Sequence, residues 1–138
     1  MRIFFITVLF SLTLSVNCFA GIDMGAIATI ESSNNPNAYN KVSGAIGMYQ
    51  VTDICRRDYN QFHKEQIKKM DLYNERVNRQ VSEWYFDVRL PQLLKHYGKG
   101  VNLENLLWAY NAGAKKVRDG IMPEETRNYI IKYHKVAR

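Results

Sequence analysis

Apolar residues recur at helical spacing through most of this chain, and polar clusters interrupt the recurrence. Met24, Ile27 and Ile30 fall three apart and predict a first helix over about Ile22 to Ser33. Asn34, Asn35 and Pro36 end it, because proline lacks a donor and restricts the residue before it. Residues 34–50, holding Pro36, Gly44 and Gly47, read as a long loop. A second helix is expected from Thr52 or Asp53, with Ile54, Tyr59 and Phe62 facing inward. Asp71 is expected to cap the next segment. Val77, Val81, Trp84 and Val88 follow at spacings of 4, 3 and 4, one face of a helix. Pro91 predicts a kink or a restart, and Gly98 a stop. Asn102 reads as the N-cap of "LENLLWAYNA", which Gly113 ends. A short helix covers Ala114 to Asp119, and Pro123 opens the last one. Glu124 and Glu125 suit its positive end, and the basic run from Lys132 to Arg138 its negative end. Tyr129, Ile130 and Tyr133 lie on one side. No run alternates with period two and no Asn-Gly hairpin signal occurs, so the expected fold class is all-α.

The first twenty residues break the pattern. Arg2 precedes an apolar run from Ile3 to Val16, and Cys18-Phe19-Ala20 has the small-x-small form of a cleavage site. Residues 1–20 are therefore expected to be a signal peptide, and residues 21–138 the exported domain. An apolar run of about 14 residues falls short of the roughly 20 that a spanning helix needs. Without its leader the chain keeps 18 Lys and Arg against 13 Asp and Glu, a net charge of +5. That balance favours an anionic partner, and export points to cell wall or membrane surface rather than nucleic acid. Only Cys55 survives cleavage, so no internal disulfide is expected. Its apolar position predicts a buried, inert thiol. His63, His96 and His134 lack paired ligand spacing, so neither metal nor cofactor is implied.

Candidate chemistry begins at Glu31. It lies four residues after Ile27, at the end of a stripe that faces the core. A carboxyl there loses solvent, which disfavours its charged form and raises its pKa, as a general acid requires. A cap or a solvated surface position would explain the same spacing. "SGAIGMYQ" sets two glycines, whose backbone can approach a ligand closely, before Gln50, whose amide suits sugar hydroxyls. Trp108, Tyr110 and Asn111 in "WAYNAG" fit core plus a helix C-cap before they fit a sugar cleft.

Taken in order, Glu31-Ser32, Asn35-Pro36, Gly44 to Gln50, Ala109 to Gly113, and Glu125-Thr126 to Tyr129 resemble the soluble lytic transglycosylase family. Asn78 followed by Tyr85 adds a weaker element, and the resemblance spans about residues 22–133. It implies a lysozyme-like (goose-type) helical domain with a substrate cleft. It implies cleavage of the β-1,4 bond between N-acetylmuramic acid and N-acetylglucosamine, giving a 1,6-anhydro product. By resemblance Glu31 is the single catalytic acid and base, and Gln50 and Asn111 bind substrate. Met48 forms cleft wall, Tyr129 faces the acid, and Tyr110 lines the cleft. Glu125 is read as a structural partner at the helix start. The loop from Ser32 to Gln50 contains no second acid. Four features depart from the family pattern: "NKVSG" replaces a Ser-Pro, the loop is one residue longer than common, no proline follows Gln50, and Ser82 stands for a glycine. Rival functions are a hydrolytic muramidase using Asp53 or Asp58, and a non-catalytic glycan-binding accessory. The expected setting is the periplasm or cell wall, acting on peptidoglycan strands as a monomer, alone or with a secretion, pilus or phage assembly.

Overall fold

The computed structural model describes residues 21–137. The expected signal peptide lies outside the described residues. Seven α-helices order the described residues: α1 Met24–Ser32, α2 Asp53–His63, α3 Glu75–Trp84, α4 Leu90–His96, α5 Leu103–Ala112, α6 Ala114–Asp119 and α7 Glu124–Val136. A 3-10 turn, Lys69–Tyr73, precedes α3. Among the described residues there is no strand, only the isolated bridges Tyr39–Ile46 and Ile46–Val51 inside the long loop.

Local chemistry fixes most boundaries. Asp23 caps α1 by accepting from the Ala26 N–H, and Thr52, Asn74 and Asn102 do the same for α2, α3 and α5. Each such cap contributes about 1 kcal/mol. Asp71 is not the cap of the α-helix that follows, as expected; it accepts from the Lys68 N–H within the 3-10 turn, and Asn74 takes the capping role. The end of α1 comes before Pro36. Ser33 and Asn34 both enter the left-handed region, at φ 55° and 62°, and their N–H groups return to Thr29 and Ala28.

Pro91 leaves the rod running. α3 continues through a π-helical turn, Tyr85–Arg89, straight into α4. The wider turn lets the Leu90 N–H reach the Tyr85 carbonyl just before the residue that has no N–H to give. That turn also rotates the following side chains, so Val88 is half-buried while Phe86, Leu90 and Leu94 fill the core.

The core runs along α4, α5, α6 and α7, with Leu106, Leu107 and Val117 fully buried, and continues under α1 and α3 through Ile27, Val81 and Phe86. Burying one such leucine contributes about 2 kcal/mol. α2 is corrected in phase: Cys55 and Tyr59 are its buried residues, whereas Ile54 and Phe62 are 63% and 53% exposed. It packs mainly on α3, so it needs only a narrow apolar stripe. α7 lies antiparallel against α1, since Tyr129 meets Glu31 at the C-terminal end of α1 and Tyr133 accepts from the Asp23 N–H at its start.

Candidate active site

A cleft forms between the long loop on one side and the faces of α5 and α7 on the other. It contains two hollows, of about 540 and 450 Å³, that share Glu31, Asn40, Gln50, Asn111 and Glu125. Glu31 thus lies where they meet. Its carboxyl is pushed from the usual 4.5 up to about 7, chiefly by burial; a hydrogen bond from Tyr129 pulls it back and the negative charge of Glu125 pushes it further. The Tyr129 hydroxyl donates to Glu31 Oε1 at 2.8 Å. Glu31 Oε2 has no hydrogen-bond partner among the described residues, so one oxygen is held and the other is left for proton transfer. Burial and the neighbouring Glu31 charge raise the pKa of Tyr129 and of Tyr110 well above the phenol's usual range, so both stay donors.

The loop wall depends on backbone placement. Ser32 reaches from α1 to the Met48 carbonyl at 2.8 Å and accepts from the Asn35 N–H at 3.0 Å. Ile46 and Val51 exchange both backbone bonds, at 3.0 Å each, closing a tight turn around Gly47 and Gln50. Gly47 sits at φ 81°, and a Cβ there would lie 2.6 Å from the Leu72 carbonyl and collide with the Asn78 amide. Asn78, fully buried, accepts from the Tyr49 N–H at 2.9 Å and donates to the Ile46 and Leu72 carbonyls at 2.8 Å each. Gln50 itself adopts φ 52°, a strained setting for a non-glycine residue, and its amide donates to the Gly47 carbonyl at 3.0 Å. Asn40 closes the preceding turn by accepting from the Val42 and Ser43 N–H groups, at 2.9 and 3.1 Å, while lining both hollows.

The opposite wall is helical. Thr126 of α7 donates to Asn111 Oδ1 at 2.7 Å, which fixes the amide's orientation and leaves its NH₂ without a partner among the described residues. Tyr110 lines the second hollow, stacks on Phe86 at 4.2 Å between ring centres, and donates to the Tyr49 carbonyl at 2.6 Å. Ser82, fully buried, lies 3.3 Å from that same hydroxyl. Tyr85, projected by the π turn, lines the second hollow beside Cys55. The Cys55 thiol is buried and its pKa strongly raised by that burial, which keeps it protonated.

Glu31, Gln50, Tyr110, Asn111 and Tyr129 therefore come together at the cleft. Met48 does not join them: its side chain packs into the core, and only its carbonyl serves the loop. Trp108 also stays outside the lining, bonded through its indole N–H to the Ile121 carbonyl at 3.2 Å. Asp53 pairs with Arg56, Arg57 and Lys69, and Asp58 with Arg89 at 2.9 Å; neither lines a hollow. Glu125 stands in the first turn of α7 as expected, yet also faces Glu31. Sequence reasoning missed Glu124, Asn128 and Lys132, which line the first hollow at spacings of four along α7. That spacing was the available signal, but polar residues on a helix face ordinarily mark a solvated one. Among the described residues no cluster of His, Cys, Asp or Glu could hold a metal ion, and no helix is long and apolar enough to cross a membrane.

Comparison with curated proteins and with solved structures returned no significant match. The family model described as "Transglycosylase SLT domain" matches residues 24–131, from the first residue of α1 into the last helix. This helical, lysozyme-like chain belongs to the transglycosylase SLT domain family.

Proposed function

We propose that the protein is an exported peptidoglycan lytic transglycosylase in which Glu31 is the single general acid and base. The observation that carries this reading is a carboxyl whose proton is held up to about pH 7, with one oxygen bonded by Tyr129, at the junction of two amide-lined hollows. In the proposed reaction neutral Glu31 protonates the oxygen between muramyl and glucosaminyl residues, and the C1–O bond breaks. The 2-acetamido group of the substrate stabilises the positive charge that develops at C1. Glu31, now ionised, takes the proton from the muramyl 6-hydroxyl, and that oxygen closes on C1. No water is consumed, and Glu31 ends protonated, ready for another turn. Gln50 and the free NH₂ of Asn111 act as hydrogen-bonding groups toward the sugars. The apolar leader of residues 1–20 supports delivery to the periplasm or wall, where the strands are.

Digestion of purified sacculi by residues 21–138 tests the reading. The expected products carry anhydro ends, about 18 Da lighter than hydrolysed ends by the stoichiometry of water. Glu31→Gln should cut their release at least about 10²-fold. Unchanged function in that variant would sink the enzyme reading and leave a glycan-binding accessory. Hydrolysis is the second reading, favoured by Glu125 lining both hollows, where it could act as base toward water. Ends of full mass would select it.

A further inference from the structure

The two hollows share their centre but differ at their outer limits. Beyond the shared residues the first is bordered by Glu124, Asn128 and Lys132 of α7, and among the described residues Lys132 is the one cation lining either hollow. The second adds no charge among the described residues; Ser43, Thr52, Ile54 and Tyr85 represent its lining. Neither Glu124 nor Lys132 has an ion-pair partner among the described residues. A peptidoglycan strand alternates in the same way. One sugar is neutral, whereas the other bears a lactyl ether and a peptide stem with free carboxylates and an amine. Neutral sugars suit hydroxyls, amides and aromatic rings, and a zwitterionic peptide suits an acid and a base held apart. Residues 124 and 132 are eight positions apart on one helix, about 12 Å of rise, which matches about three to four extended peptide residues.

We infer that the hollow bordered by Glu124, Asn128 and Lys132 receives the charged stem of the muramyl residue, and that the second hollow, whose own lining beyond the shared residues is uncharged, takes the stem-free sugar. The inference rests on the glycan-cleaving reading above. It makes Lys132 a specificity-determining residue, which sorts strands by whether they still carry peptide.

The test compares kcat/KM on strands with intact stems and on strands stripped by an amidase. The wild type should prefer stem-bearing strands. Lys132→Glu should lower that preference about two- to fivefold, the range open to exposed charges, and Lys132→Arg should restore most of it. Raised salt should erode the preference in the wild type. Equal rates of the wild type on both substrates, or equal losses in Lys132→Glu on both, overturn the inference while leaving the enzyme reading intact. Calorimetric binding of a disaccharide with and without its peptide to the Glu31→Gln protein keeps the two separable. Stem-dependent affinity that falls in Glu31→Gln/Lys132→Glu supports the inference even where turnover is absent. Equal affinity for both ligands overturns it.

Discussion

The cleft has one wall made of backbone and one made of side chains, and the two tolerate change differently. The loop wall owes its shape to conformations that few residues adopt: Gly47 and Gln50 at positive φ, locked by the buried amide of Asn78. The α7 wall is a regular helix whose exposed residues reach the cleft simply because they recur every three or four positions. Altering the first wall unfolds it, whereas altering the second retunes it. Glu31 belongs to neither, standing at the end of α1 where both converge.

The largest expected effect is therefore at Glu31. Glu31→Gln should cut turnover about 10²- to 10⁴-fold, read by release of anhydro ends. Its folding should not suffer, which separates it from any change in the loop wall. Next come the loop locks. Asn78→Ala strands the Tyr49 N–H and the Ile46 and Leu72 carbonyls, and Gly47→Ala forces a Cβ into the same amide. Each should lower stability by about 3 kcal/mol, seen as a fall in the urea midpoint. Matching substitutions on the other wall, Asn128→Ala for example, should stay within about 0.5 kcal/mol. A comparable loss there would break the comparison.

A third measurement uses pH. Below pH 4.5 Glu31 is protonated whether the chain is folded or not, and contributes nothing to the pH dependence. Between 4.5 and about 7 only the unfolded chain has released the proton, so native stability falls as pH rises, and it levels off above. The loss is about 2 kcal/mol after allowance for partial solvation. Glu31→Gln should thus be more stable than wild type at pH 8 and equal to it at pH 4. The smallest effects sharpen the helix wall. kcat/KM should fall as pH rises through about 7. Tyr129→Phe, which removes the bond that favours ionised Glu31, should move that limb to higher pH and cut the rate about tenfold. Glu125→Gln removes a negative neighbour and should move it lower, an opposite and lesser shift.

The same contrast explains what could be read from sequence. Helix ends with their own local signals, Asn102 and Gly113 among them, stand where spacing and capping put them. Glu31 was legible because one stripe, Met24-Ile27-Glu31, carried it toward the core. The function of Asn78 was not, since its partners lie 6 to 32 residues away and only the folded loop supplies them. Ile54 and Phe62 looked like core because apolar residues usually are, but α2 has little to pack against. Met48 looked like cleft wall through its place in a motif, but the folded loop buries its side chain in the core and leaves only its carbonyl to serve the loop. The π turn left no trace beyond Pro91 itself.

Cys55 gives the floor of the second hollow a built-in clock. A thiol held protonated beneath Tyr85 can be alkylated only when the surrounding structure breathes. The rate at which it is labelled is thus a direct gauge of how often the groove loosens, and an occupied groove should slow it.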